Sequence, residues 1–299
     1  MTAQALSSVT VPLRYAGPAE PAGIFYAGQH AAATARFRSV GTAITNARPI
    51  RGDFRLDVYG FALVKHQTKV QDFTDTEEVE LVYKAELEEL VKAATGAVKV
   101  VVFHTMACFE DGEKRGERPP ARAAHADYDG ASFEVWIRRA MGAEADEWPA
   151  GRWSEINVRR GIRPVERVPL AVAVARTTGL DQYVPVPIHE RPDQPMPFTG
   201  LNLVHDPQQR WYYFPDTQPD EALLFRLWDT DSSVPFPVAH SAIDDPTSRP
   251  GAAPRASVEG RTVAFFGGEK LIPALFGGSF SSRLGGRADL EYGPSTGVS

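Results

Sequence analysis

Residues 210–229, RWYYFPDTQPDEALLFRLWD, hold two apolar segments on either side of a turn and set the pattern of the C-terminal third of the chain. Three further apolar segments flank this stretch, and they are LNLVH (201–205), FPVAHSAI (236–243) and SVEGRTVAFF (257–266). The sequences between these segments are rich in Asp, Pro, Gly and Ser, which favour turns. Short apolar segments bounded by turns at this spacing predict an antiparallel sandwich or barrel.

The segment ALLFRLW at residues 222–228 is ambiguous when it is taken alone. Thr217 and Pro219 precede it in the positions of a helix cap and a first helical residue. Its mostly apolar character and the turn signals on both sides favour a strand. VKVVVFH at residues 98–104 is similarly apolar and predicts a strand that is buried on both faces.

The clearest helical pattern covers residues 77–95, where apolar side chains recur at helical spacing. Thr74 and Glu77 have the spacing of a capping box, and Gly96 follows in the position typical of a helix C-terminus. Residues 132–142 show a second amphipathic helical pattern. We expect the first of these helices to pack against the outside of the sheets.

Together these patterns predict a mainly β (α+β) fold, a jelly roll with flanking helices and an N-terminal extension. Residues 1–50 are rich in Ala, Gly and Pro and predict an irregular arm with one short strand near residues 23–26. The five prolines of residues 185–199 predict an extended linker or lid. We expect a single domain over residues 1–299. Its parts are an N-terminal arm with strands and a supporting helix (1–97), a jelly-roll core (98–266) and an irregular tail (267–299).

Composition excludes several classes of function. The chain has 32 basic and 38 acidic residues, a net charge of −6, so it has no general attraction to nucleic acid. It contains a single cysteine and therefore neither a disulfide framework nor a thiolate metal cluster. A Gly-rich phosphate loop, a nucleophile elbow and an HExxH motif are absent from the sequence. No apolar stretch approaches the roughly 18 residues of a membrane span, and no signal-peptide pattern is present, so we expect a cytoplasmic protein.

His125 and Asp127 are the first candidates for a metal site. Residues two apart on a strand point to the same face, so this pair can offer a nitrogen and an oxygen to one ion. About one such pair is expected by chance among seven histidines, so a third ligand is required. His205, at a strand end, and His240, inside an apolar segment, are the candidates, with a surface turn residue and a core histidine as their alternative roles. Two histidines and one carboxylate suit non-heme Fe(II).

Arg255 is the candidate for binding a second ligand of such a site. A dicarboxylate that chelates the metal at one end can meet a bidentate guanidinium at the other. Ser257 shares the face of Arg255 on a strand and can add a hydroxyl donor. Arg261 shares this face as well, but we expect it about 20 Å further along the strand and too far from a metal near the strand start. The pair Arg159–Arg160 is the other alternative, although a solvated surface or an exposed loop would also explain these arginines.

Several stretches of the chain resemble one known family. They are LDVYGFALVKH, FHT (103–105), HAD (125–127), GRWSEINVRR, AHSAIDDP, PRASVEGR and, most specifically, residues 210–246. From about Phe54 to Phe265 the chain is similar to the AsaB-, CmcJ- and NvfI-like hydroxylase/desaturases, which resemble Fe(II)/2-oxoglutarate dioxygenases built on a double-stranded β-helix. The resemblance implies Fe(II) and 2-oxoglutarate as cofactors. It also implies His125, Asp127 and His240 as the metal triad, and Arg255, assisted by Ser257, as the 2-oxoglutarate anchor.

The chain departs from the pattern of this family at three positions. Arg159 and Gly161 stand where the family has Trp and Pro, and Gln209 stands where many relatives have a histidine. If that histidine were the third ligand, the site here would be broken or would use His205. The order of the predicted strands favours His240 instead.

Our first hypothesis is therefore an Fe(II)/2-oxoglutarate-dependent oxygenase. It would hydroxylate, desaturate or oxidatively rearrange a small specialised metabolite with O2, without a nucleic-acid or membrane partner, and with a homodimer as one possible assembly. The alternative hypotheses are a catalytically inactive β-barrel binding protein and an auxiliary protein of a biosynthetic pathway. Binding of Fe(II) and 2-oxoglutarate discriminates between the first hypothesis and the other two.

Overall fold

A computed structural model describes residues 6–17, 23–27, 29, 33–112, 118–142, 151–189, 192 and 198–267. These residues form two sheets. The nine-stranded sheet contains β1 (Ser8–Ala16), β2 (Phe25–Tyr26), β3 (Phe37–Asn46), β6 (His125–Ala126), β8 (Leu170–Ala173), β9 (Tyr183–His189), β10 (Phe198–Leu203), β11 (Trp211–Tyr213) and β13 (His240–Ala242). The five-stranded sheet contains β4 (Phe61–Lys65), β5 (Lys99–Phe109), β7 (Arg152–Gly161), β12 (Glu221–Asp229) and β14 (Ala256–Phe266).

The order of strands is β1-β3-β11-β8-β13-β6-β10-β9-β2 in the larger sheet and β4-β12-β7-β14-β5 in the smaller one. Most neighbouring strands are antiparallel, and non-consecutive strands lie side by side in both sheets. This confirms the predicted mainly β jelly roll. ALLFRLW lies within β12, because Leu223, Phe225 and Leu227 face the core between the sheets while Ala222 and Leu224 face a helix. Burial on both faces explains the continuous apolar pattern.

The helical segment α1 consists of Thr76–Glu78, a π turn at Val79–Tyr83, and Lys84–Thr95. It packs against the outer face of the five-stranded sheet, as predicted. Its cap is Asp75 rather than Thr74, since the Asp75 carboxylate accepts hydrogen bonds from the backbone N–H groups of Glu77 and Glu78 at 2.9 and 3.2 Å. Gly96 ends the helix with a left-handed φ of 75°.

Close contact between α1 and the sheet depends on Gly260 in β14. A β-carbon at this position would lie 2.2 Å from Cδ1 of Leu87, which is fully buried on α1. A second helix, α2 (Gly130–Met141), covers another part of the same sheet and packs near Trp153 and Phe265. No helix within the described residues is both long enough and apolar enough to cross a membrane.

The prediction of an irregular N-terminal arm is wrong, apart from the short strand β2 near its middle. Strands β1 and β3 pair antiparallel from Ser8↔Thr45 to Ala16↔Phe37 and lie at one end of the nine-stranded sheet. The physical reason is an alternation in β1, where Val9, Val11 and Leu13 are buried and the residues between them are exposed.

The prediction of a linker or lid over residues 185–199 is also wrong where the structure describes this segment. Pro185 and Pro187 lie inside β9, which pairs with β10 along its length. In the described residues β2 meets β9 only at Ile188 and His189. The two prolines are two residues apart on the strand, so both of their nitrogens can face its unpaired edge. Neither proline then removes a hydrogen bond of the ladder between β9 and β10. Apart from Gly267, the predicted tail lies outside the described residues.

Candidate metal centre

Three potential ligands meet where strands β6 and β13 of the nine-stranded sheet lie side by side. His125 and His240 are register partners in this antiparallel pair, and their ring centroids are 4.3 Å apart. Asp127 follows β6, and its Oδ1 lies 3.5 Å from Nε2 of His125 and 3.8 Å from Nε2 of His240. One ligand atom from each side chain lies within 4.8 Å of the others. The structure therefore places two nitrogens and one oxygen around a single point.

The hydrogen bonds of the two histidines suit them to a metal ion. Nδ1 of His125 lies 2.8 Å from the carbonyl oxygen of Ala123, and Nδ1 of His240 lies 3.3 Å from that of Val238. A proton on each Nδ1 leaves the Nε2 lone pairs directed at Asp127, which is the tautomer that a metal requires. Burial and then the nearby His125 lower the pKa of His240 to about 4, so its imidazole is neutral near pH 7.

Asp127 is held by residues from the five-stranded sheet. Its Oδ2 accepts a 2.7 Å hydrogen bond from Nδ2 of Asn157 and lies 3.3 Å from Nη2 of Arg261. Burial alone raises the pKa of Asp127, but Arg261 and the two histidines outweigh this effect and hold it well below its usual range. One carboxylate oxygen is thus occupied while the other faces the histidines.

The position of Arg261 corrects the expectation that it lies too far from the metal site. Arg261 is the register partner of Asn157 on β7, and the triad lies beside this middle part of β14 rather than beside its start. The guanidinium also donates to Glu259 at 3.1 Å and contacts the hydroxyl of Tyr128. Sequence reasoning did not assign a role to Glu259, which is buried and bonded to Arg159 at 2.7 Å.

Arg255 and Ser257 line the same cavity system at the start of β14. The Arg255 side chain is 2% exposed; its Nη1 donates to the carbonyl oxygen of Val168 at 2.8 Å and its Nε to Oγ of Ser257 at 3.2 Å. Its Nη2 has no hydrogen-bond partner, and no carboxylate forms an ion pair with the guanidinium among the described residues. Burial and then Arg159 lower the pKa of Arg255. The group is therefore an unpaired buried cation.

The cavity that joins these groups encloses about 790 Å³, including its open mouth. Its wall holds the triad together with Arg159, Arg255, Glu259 and Arg261. The apolar part of the wall comes from Phe25, Ala27, Met106, Leu170, Ile188 and Phe198, among others. A metal, a dicarboxylate and a small apolar molecule can meet in one space.

The alternative third ligand, His205, lies elsewhere. Its ring packs edge to face on Tyr15 with a centroid distance of 5.0 Å, and it is not part of the His125–Asp127–His240 group. Gln209 donates to the side chain of Gln182 at 2.9 Å and to a backbone carbonyl, so it stabilises a turn. Gly161 permits a close approach, since a β-carbon there would lie 2.4 Å from the carbonyl oxygen of Arg163.

Two histidines and one carboxylate on adjacent central strands of a jelly roll define the class of non-heme iron oxygenases. Residues 15–265 match the family described as an oxidoreductase/YMDC permease-like domain. The chain is 31% identical to the alpha-ketoglutarate-dependent dioxygenase phiK of a fungal species, over 72% of this chain and 80% of that protein. It is 30% identical to the hydroxylase/desaturase efuI of Hormonema carpetanum, over 65% of this chain and 73% of that protein.

Among solved structures, the iron and alpha-ketoglutarate-dependent endoperoxidase NvfI matches with a TM-score of 0.79 and 26% identity, over 89% of this chain and all of that one. The chain belongs to the family of Fe(II)/2-oxoglutarate-dependent dioxygenases and hydroxylase/desaturases that these proteins represent. This confirms the resemblance drawn from the sequence and the assignment of the chain as a non-heme iron oxygenase.

Proposed function

We propose that His125, Asp127 and His240 hold Fe(II), and that Arg255 with Ser257 holds the far carboxylate of 2-oxoglutarate. The observation that carries this proposal is the convergence of the three ligand atoms within 4.8 Å, in the same cavity wall as a buried guanidinium that has no carboxylate partner among the described residues. A buried, unpaired cation is costly unless an anion binds it. The site therefore offers one place for the metal and one for an acidic co-substrate.

The protein residues have separate roles in this arrangement. Bound Fe(II) supplies the chemistry that couples oxidative decarboxylation of 2-oxoglutarate by O2 to oxidation of a C–H bond. Asn157 and Arg261 fix the orientation of Asp127, so that only Oδ1 faces the metal position. The backbone carbonyls at Nδ1 fix the tautomers of both histidines. Arg255 orients the co-substrate by a charge-assisted hydrogen bond from Nη2.

The organic substrate is a small molecule with an apolar skeleton. Support for this comes from the apolar part of the cavity wall, where Phe25, Leu170, Ile188 and Phe198 line the same space as the triad. Apolar walls exclude water from the reacting atoms and orient a hydrocarbon surface. Relatives carry the names dioxygenase, hydroxylase/desaturase and endoperoxidase, so the reaction is a hydroxylation, a desaturation or an oxidative rearrangement of a specialised metabolite. Cytoplasmic location, a possible dimer, and the lack of nucleic-acid and membrane partners stay predictions.

The test is an anaerobic titration of the purified protein with Fe(II) and then with 2-oxoglutarate. We expect 2-oxoglutarate to produce a visible metal-to-ligand absorbance band that requires Fe(II). Admission of air with ascorbate, which supplies the second pair of electrons in place of the organic substrate, should convert 2-oxoglutarate to succinate and CO2. His240→Ala should abolish the band, while His205→Ala should retain it. A wild-type protein that binds neither ligand would favour an inactive or auxiliary binding protein and would refute the proposal.

A further inference from the structure

Two guanidinium groups share one hydroxyl in the cavity wall. Oγ of Ser257 accepts hydrogen bonds from Nη2 of Arg159 at 3.1 Å and from Nε of Arg255 at 3.2 Å, and it donates to the carbonyl oxygen of Cys108 at 3.4 Å. A serine hydroxyl has two lone pairs and one proton, so its bonding capacity is full. Ser257 thus holds two like charges side by side without neutralising either of them.

The carboxylates of the cavity do not balance these charges. The Glu259 carboxylate forms ion pairs with two arginines. Its Oε2 lies 2.7 Å from Arg159, and its Oε1 lies 3.1 Å from Arg261. Arg261 also forms an ion pair with Asp127, whereas Arg255 forms no ion pair with a described carboxylate. The described wall contains four guanidinium groups, those of Arg118, Arg159, Arg255 and Arg261, and two carboxylates, those of Asp127 and Glu259. Arg159 and Arg255 lie side by side at the end of the wall where Arg255 has no carboxylate partner among the described residues. Adjacent buried cations are stabilised when an anion binds between them.

Each of the two arginines keeps a donor that the described residues do not use. Nε of Arg159 and Nη2 of Arg255 are buried and have no hydrogen-bond partner there. Buried N–H groups of this kind are nearly always satisfied in a folded protein or its complex. A carboxylate has two oxygens and can accept hydrogen bonds from two guanidinium groups at once.

We propose that Arg159 is a second binding residue for the far carboxylate of 2-oxoglutarate, acting together with Arg255 on either side of Ser257. This inference rests on the proposed function, in which 2-oxoglutarate is the co-substrate. The two arginines would together hold the far end of the co-substrate more tightly than a single arginine allows.

The test compares two ligands that differ only at that end. 2-Oxoglutarate and 2-oxopentanoate share the chelating 2-oxo acid group, but 2-oxopentanoate has a methyl group in place of the far carboxylate. Binding of each to the Mn(II)-loaded, oxygen-free protein is measured by titration calorimetry. We expect Arg159→Gln to weaken 2-oxoglutarate binding by about tenfold or more, or about 1.4 kcal/mol, and to leave 2-oxopentanoate binding unchanged. Arg159→Lys should give an intermediate loss, because it keeps the charge but not the fork.

Arg176→Gln is the matched control, because Arg176 is exposed and its side chain donates to the carbonyl oxygen of Ser233, away from the cavity wall; it should change neither affinity. Equal weakening of both ligands by Arg159→Gln would show a structural role through Glu259 and overturn the inference. An unchanged 2-oxoglutarate affinity in Arg159→Gln would also overturn the inference. Failure of the wild-type protein to bind 2-oxoglutarate at all would refute the proposed function itself. If Arg159→Gln does not fold, Arg159→Lys decides by the same comparison.

Discussion

Replacing Arg255 with lysine tests the co-substrate anchor most directly. The guanidinium uses Nη1 for the carbonyl oxygen of Val168 and Nε for Ser257, which leaves Nη2 for a ligand. Lysine keeps the positive charge but offers one ammonium group on a flexible stem. It cannot hold both protein hydrogen bonds and a ligand oxygen in the geometry of the fork.

The size of the effect follows from the strength of one charged hydrogen bond to the ligand. A hydrogen bond to a charged group contributes about 1.5–3 kcal/mol, and at least one such bond to the ligand disappears in Arg255→Lys. The dissociation constant of 2-oxoglutarate should therefore rise at least about tenfold, which corresponds to about 1.4 kcal/mol. Retention of the charge keeps the loss of affinity smaller than that expected for Arg255→Ala.

The assay is an anaerobic titration of 2-oxoglutarate into the Fe(II)-loaded variant, followed by the KM for 2-oxoglutarate in air with ascorbate as the second two-electron donor. Fe(II) affinity should be unchanged, because Arg255 forms no hydrogen bond with His125, Asp127 or His240 in the structure. An Arg255→Lys protein with wild-type dependence on 2-oxoglutarate would rule out this anchor. Arg159 would then be the next candidate, because its Nε is buried and has no hydrogen-bond partner among the described residues.

Three further outcomes are expected from the geometry of the site and of the helix that supports it. Asn157→Ala removes the 2.7 Å hydrogen bond to Asp127 and should lower Mn(II) affinity by about 10- to 100-fold, and an unchanged affinity would show that the orientation of Asp127 does not depend on it. Gly260→Ala inserts a methyl group 2.2 Å from Leu87 and should lower the free energy of unfolding by about 1–3 kcal/mol in urea denaturation; an unchanged midpoint would contradict the packing of α1 described above. His240→Ala should abolish the thermal stabilisation by Mn(II), whereas His205→Ala should retain it, and the reverse result would identify His205 as the third ligand.

The apolar patterns predicted the strands of the C-terminal third because a strand that is buried on both faces consists mostly of apolar side chains. β12 lies between α1 and the inter-sheet core, so nearly every residue of ALLFRLW is apolar. The long pairing of β1 with β3 was missed for the opposite reason. β1 has one exposed face, and its alternation in VTVPLRY is short and interrupted by Pro12. A half-buried strand gives a weaker signal than a fully buried one.

The residues of the site also differ in how well the sequence alone predicts their positions. The relation between His125 and Asp127 is local, since two residues on one strand share a face. The position of His240 opposite His125 depends on how β6 pairs with β13, and this cannot be read from either segment alone. The expectation about Arg261 failed for the same reason. The distance between a residue of β14 and the metal site depends on how the two sheets pack against each other. A usable signal was present, however, in the polar residues at every second position of β14, which are Ser257, Glu259 and Arg261.

The two sheets contribute different groups to the site, and this explains why these polar residues are needed. The nine-stranded sheet supplies the metal ligands through β6 and β13, whereas the five-stranded sheet supplies Asn157, Glu259 and Arg261 through β7 and β14. Asp127 is thus oriented by side chains that reach it across the space between the sheets. Because the 2.7 Å bond from Asn157 tolerates little change in that spacing, packing of α1 against the back of β14 also bears on the ligand geometry. A metal affinity that falls in Gly260→Ala, where no ligand is altered, would demonstrate this connection, and an affinity that stays constant while stability falls would separate the two.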